Sequence, residues 1–267
     1  MKSTKARRLF KRRFGQANHF LITSLIGLHE VENNPNIKKP EEFSTSWEPH
    51  DVFRSARRSR EFLLDSFLSH AVDGIDLYLT YLNKSPKPIA HKDFELIFEK
   101  ANRSVYNKVL GIQEYFNADK TLTGLVLLLI TWRNNLTHYF AENEILGEYE
   151  IHLKNKEEEI KSQFCGLEIQ QLIPKAHSGK SLTFKEVASL INATNLYVQR
   201  IDEIVISKID FEDFANRTLD YHHKNNSGSL LKYKNLPSEK KERFKMNVLQ
   251  NTSSFEPQDF EKIKHTQ

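Results

Sequence analysis

Arg133, Asn134 and His138 have the side-chain types and the spacing that suit cleavage of a phosphodiester. An imidazole exchanges protons near neutral pH, and a guanidinium grips phosphate oxygens through paired hydrogen bonds. RNA carries its own nucleophile, the 2′-hydroxyl. A base for that hydroxyl, an acid for the leaving 5′-oxygen and positive charge for the phosphorane therefore suffice. In this reading His138 is the general base or acid, Arg133 clamps the transition state, and Asn134 fixes the imidazole from one turn away. Glu142 either orients His138 and raises its basicity or is a plain surface acid. Tyr139 directly follows His138.

These groups need a rigid carrier, and the stretch Leu122 to Ile145 supplies one. Its apolar run from Leu125 to Ile130 passes straight into Trp132-Arg133-Asn134-Asn135-Leu136-Thr137-His138. A run that apolar belongs in the middle of a core, so the polar cluster behind it is held beside that core. On one helix, positions 134, 138 and 142 form a single polar stripe. Arg133 lies five residues before His138, about 140° around the axis, so the two do not converge along a regular helix. Either the helix begins or kinks near Asn134, or a second copy of the chain completes the site.

The pattern of Arg133, polar Asn134, three further residues and His138, late in an apolar helix of an all-helical chain, resembles the signature of the HEPN superfamily. The resemblance covers residues 51 to 209 and rests on this motif and its context. It implies a metal-independent endoribonuclease of toxin or anti-phage defence type, with RNA as substrate and no cofactor. It also implies a homodimer in which two bundles bring their signatures face to face, and an inhibitory or antitoxin partner protein. Some HEPN toxins carry a Tyr two residues after the His, whereas Tyr139 follows His138 directly, which leaves the subfamily open. The alternative is a non-catalytic HEPN-like module that binds RNA, a nucleotide or a partner protein through the same groove. Arg-to-His spacings recur at Arg12 and Arg13 with His19, and at Arg217 with His222 and His223, but without the following Asn or the apolar lead-in.

The totals agree with an all-α protein. Among 267 residues, 39% are hydrophobic, enough for a core, while nine Gly and eight Pro are few for a sheet fold rich in turns. A formal charge of +4 permits nucleic-acid binding without requiring it. Cys165 stands alone, which excludes an internal disulfide and a zinc site built on several thiolates, and suits a cytoplasmic location. No apolar run approaches the ~18 residues of a membrane span. Phe20 to Leu28 imitates a signal peptide but lacks a small-residue cleavage site.

Three segments are expected. Residues 1–50 form a basic arm, a short helix from about Asn18 to Glu30, and a linker containing Pro35, Pro40 and Pro49. In the arm, Arg7, Arg8, Lys11, Arg12 and Arg13 are interleaved with Phe10 and Phe14, which suits an RNA backbone and a stacked base; a solvated arm fits equally well. Residues 51–209 form the bundle, with helices over 51–82, 92–116, the motif stretch up to Gly147, 148–169 and 183–209, and a break at Pro174 to Ser181. Residues 210–267 form a helical, partly flexible extension.

Other constellations are set aside. His70 and Asp73, one turn apart, suit a metal or a proton relay, but a His on such a face is more often a satisfied core residue. Ser178-Gly179-Lys180-Ser181 imitates the end of a phosphate-binding loop, yet Pro174 stands where that loop needs Gly. No Glu precedes any His by three residues, no His-Glu-x-x-His occurs, and His222-His223 lacks evident partner ligands, so no metal site is expected.

Overall fold

The computed structural model describes residues 1–138 and 141–264. Of these, 73% are helical, in thirteen helices with no strand among the described residues. The all-α expectation therefore holds. The helices are α1 (Lys5–Asn33), α2 (Val52–Leu82), α3 (Lys92–Ala101), α4 (Val105–Phe116), α5 (Lys120–Thr137), α6 (Gly147–Asn155), α7 (Glu157–Gln163), α8 (Ile169–Ser178), α9 (Phe184–Ser207), α10 (Phe211–Asn225), α11 (Ser229–Lys234), α12 (Ser238–Ser253) and α13 (Asp259–Lys264). No described helix is long and apolar enough to cross a membrane.

The chain forms two compact units that do not follow the three sequence segments. One comprises Met1–Lys11, Gly74–Thr123 and Asn195–Gln267; the other comprises Arg12–Asp73 and Gly124–Thr194.

In the first unit, the stretch expected to be a basic arm is helical. Ala6 and Phe10 recur at helical spacing and are buried, as is Phe14 one turn further on, so these aromatics belong to the core and are not free to stack on a base. The start of α1 is fixed by Asp202 of α9, which is fully buried. Its carboxylate accepts the Thr4 backbone N–H at 3.0 Å and the Thr4 hydroxyl, while Tyr78 donates at 3.4 Å and Arg7 lies 4.0 Å away. Thr4 in turn accepts the Arg7 N–H at 3.2 Å, a helix cap. Burial holds the Asp202 carboxyl above its ordinary range, against the bonds from Thr4 and the charge of Arg7. Arg7 is thus buried, and Arg8 bonds the Ser254 carbonyl at 3.3 Å; Lys11 at the edge of this unit is exposed, as are Arg12 and Arg13 of the other.

The single helix expected over 92–116 is two. Asn102 takes a positive φ (50°, with ψ −117°) that ends α3, and Ser104 accepts the Asn107 N–H at 3.2 Å, so the chain turns and restarts as α4. Residues beyond Asp210 build a core together with Met1 and Ile209. Phe214 stacks on Phe255 with centroids 5.4 Å apart, and Leu249 and Phe260 close the cluster.

In the second unit, α5 is buried without interruption from Leu125 to Trp132. It crosses α6 where a Cβ added to Gly124 would lie 3.1 Å from the Leu153 side chain. Pro174, expected to break the chain, lies inside α8. The start of α9 carries a reciprocal cap: the Thr183 N–H donates to Glu186 at 2.7 Å and the Glu186 N–H to Thr183 Oγ1 at 3.3 Å. Lys175 of α8 adds an ion pair to Glu186 at 2.7 Å. Burial alone would raise the Glu186 carboxyl, but the Lys175 and Thr183 bonds outweigh it and hold it below its ordinary range.

Two outcomes follow for stability. Asp202→Ala removes the acceptor for Thr4 and the counter-charge for Arg7, and should cost about 3 kcal/mol in denaturant unfolding. Glu186 contributes stability that is fully present above the ordinary carboxylate range and is lost as pH falls through its lowered value. The difference in Tm between the parent and Glu186→Gln should therefore shrink on acidification, and a gap that stays constant with pH would count against the ion pair.

Candidate active site

The site residues cluster at the C-terminal end of α5. This helix stops at Thr137, not beyond Glu142, and the reason is Asn135. Its Nδ2 lies 2.8 Å from the Asn143 carbonyl, 3.0 Å from that of Ala176 and 3.1 Å from that of His177, so its two hydrogens serve three acceptors. Its Oδ1 accepts the Asn143 backbone N–H at 2.8 Å and the Asn143 side chain at 3.0 Å. Eight residues along a continuing helix would separate 135 from 143 by about 12 Å, so this bonding requires the chain to fold back. Glu142 consequently sits exposed in a loop, and the stripe expected through 134, 138 and 142 does not form.

The loop is tied a second time by His177 of α8, whose Nε2 accepts the Ile145 N–H at 3.4 Å. The segment that imitated a phosphate loop proves to be part of the same assembly. Gly179 caps α8 at φ +60°, so close to α5 that an added Cβ would lie 2.8 Å from the Asn135 and Leu136 backbone. The Trp132 indole donates to the Lys180 carbonyl at 2.8 Å, and the Ser181 hydroxyl bonds Asp65 of α2 at 2.9 Å.

Within this frame His138 follows the last residue of α5, and its N–H still bonds the Asn134 carbonyl at 3.1 Å. The backbone therefore keeps its helical course to His138, and the angular offset from Arg133 persists. His138 is exposed, whereas Arg133 and Asn134 are half-buried. The Arg133 Nε is buried and has no hydrogen-bond partner among the described residues. Tyr139 lies outside the described residues.

Beside the end of α5 runs a cleft of about 520 Å³, lined by Phe62, Asp65, Ser66, Ser69, His70 and Asp73 of α2 and by Leu136 and Thr137 of α5. His70 and Asp73, noted from their spacing, thus share a cleft with the turn that leads into His138. Asp65 was not noted. Burial raises its carboxyl above the ordinary range, against the Ser181 hydrogen bond, and its Oδ1 is buried without a partner among the described residues. Among the described residues, no group of three or more His, Cys, Asp and Glu could hold a metal ion.

His222 and His223 lie in the last turn of α10, in a different part of the chain. Burial, then the neighbouring His223, hold His222 below its ordinary range.

Sequence reasoning missed Asn135, Gly179 and His177. Asn135 stood in the motif, but its partners come from α8 and from a loop, which no spacing rule connects. Compared with models of known protein families, with curated proteins and with solved structures, the chain matches none.

The frame has a direct test. Asn135→Ala should leave the helix content intact while amide exchange at Asn143 and Ile145 accelerates, and unchanged exchange there would refute the latch. Gly179→Ala should cost about 1–3 kcal/mol, because a side chain there is strained in conformation and collides with α5.

Proposed function

We propose that this chain is a metal-independent endoribonuclease of HEPN type, acting as a toxin or anti-phage effector. In this reading RNA is cut by attack of its own 2′-hydroxyl, with His138 moving the proton, Arg133 holding the phosphate oxygens, and Asn134 supporting the imidazole. The reading is carried by Arg133. A half-buried guanidinium with a buried, unbonded Nε is costly by about 1–3 kcal/mol, and an incoming phosphate oxygen is the acceptor it lacks. An exposed His138 five residues on, set on a helix buried on all sides, adds the proton-transfer group. Glu142 in the tethered loop and Tyr139 are supporting residues. The offset of about 140° between Arg133 and His138 favours a two-fold homodimer that composes each site from two chains. An inhibitory protein partner is part of the same proposal.

That same offset supports a second reading, in which a single chain binds RNA, a nucleotide or a partner protein through the α2–α5 cleft without catalysis. The two are separated by incubating the pure protein with labelled RNA in chelator. Cleavage leaving a 2′,3′-cyclic phosphate or its 3′-phosphate product, with DNA untouched, is expected. His138→Ala should lower the rate by ~10²-fold or more, and Arg133→Ala comparably, both with unchanged helix content. Cleavage that requires added magnesium, or that persists at the parental rate in His138→Ala, would refute the assignment.

A further inference from the structure

The end of α10, α11 and the start of α12 carry a concentration of charge and rings that the cleft does not explain. Residues 222–245 hold seven basic and two acidic residues, a net +5 where the whole chain sums to +4. Lys224, Lys232, Lys234, Lys240 and Arg243 are exposed, and none has an ion-pair partner among the described residues. Lys245 alone pairs, with Glu242 at 3.2 Å.

The same stretch of chain carries a cluster of half-buried rings. Phe244 of α12 is its centre. His223 lies parallel to it, with centroids 6.2 Å apart and an interplanar angle of 4°, and His222 and Tyr233 pack at 6.0 and 5.6 Å. The Lys241 ammonium sits 5.8 Å from the centre of the Tyr233 ring. His223 is steadied by Ser229 at 3.2 Å, and α10 packs along α12. The rings are thus fixed in place with part of their surface open. The N-terminal basic stretch offers no such combination, because Phe10 and Phe14 are buried.

We infer that this surface binds single-stranded RNA, its lysines following the phosphate backbone and the His223, Tyr233 and Phe244 cluster offering a platform on which a base stacks. Fixed aromatic rings on helices that also carry unpaired cations match a strand whose bases are free, whereas a duplex hides its bases. Anionic membrane fits less well. Leu230 and Leu231 are exposed, but α11 spans only six residues, too short to present an apolar stripe to lipid. The choice of RNA over DNA rests on the function proposed above; the surface itself is argued independently of Arg133 and His138.

The probe is a fluorescent, unstructured 2′-O-methyl RNA of about 12 nucleotides, which cannot be consumed by 2′-hydroxyl attack. Anisotropy should show salt-dependent binding to the full-length protein. Reversing Lys240, Lys241 and Arg243 together to Glu should weaken binding at least tenfold and reduce the salt slope by about two. The same reversal at exposed Lys154, Lys156 and Lys161 should leave affinity within about twofold, which separates a local surface from net charge. Tyr233→Leu should weaken binding about fivefold or more with the salt slope unchanged. Parental affinity in the triple variant, equal loss in both triple variants, or tighter binding to duplex RNA or to phosphatidylserine vesicles would each overturn the inference. Binding here without any cleavage would sink the ribonuclease proposal alone, and cleavage with unaltered affinity in the α12 triple variant would sink this one alone.

Discussion

A helix that is buried on every side can meet solvent only at its ends. That constraint governs the second unit, because α5 has no exposed residue between Leu125 and Trp132. Half-buried and exposed polar residues begin at Arg133, where the core stops covering the helix. Apart from Lys120 and Thr121 at its start, everything on α5 that could touch a substrate is therefore confined to about its last turn, and that turn inherits the rigidity of the packing behind it. The surrounding elements complete the frame: α2 supplies one wall of the cleft, and the end of α8 clamps the last turn from another side through Gly179 and the Lys180 carbonyl.

Where a helix carries a continuous apolar pattern, the sequence reads well. The positions of α2 and α9, and the burial of α5, follow from apolar spacing, which records which faces must leave water. Ends are another matter. The stop of α5 at Thr137 depends on an amide that bonds α8 carbonyls, and the division between α3 and α4 depends on Asn102 adopting a positive φ. Neither is encoded in local periodicity. In the basic N-terminal stretch the density of charge masks the spacing of Ala6, Phe10 and Phe14, which is that of a buried helix face. Of the candidate site, the residue types were legible, as was the spacing of His70 and Asp73; the tertiary partners that fix them were not.

Several polar residues that invite a functional reading have structural employment. Ser178 to Ser181 close a helix and join it to α5 and α2, Asp202 caps α1 from within the first unit, and Glu186 caps α9. In each case the side chain's bonding capacity is met by backbone groups or an opposite charge. Arg133 Nε and Asp65 Oδ1 differ, being buried with bonding capacity left over. Asn83, Thr131 and Thr194 share that state among the described residues, so what marks Asp65 is the cleft it shares with Leu136 and Thr137, and what marks Arg133 is its position in the last turn of α5.

The double tie on the loop after α5 sets a ruler along the chain. Asn135 grips Asn143 and His177 grips Ile145, so the residues between 135 and 145 must span the path between two fixed posts. A shortened span cannot reach without releasing one tie. The stretch between α1 and α2, largely exposed and bonded mainly to itself, has no such posts, and lengthening it costs only the slow logarithmic growth of loop-closure entropy. Change in chain length during divergence should thus accumulate between α1 and α2, while the span that carries His138 is not shortened.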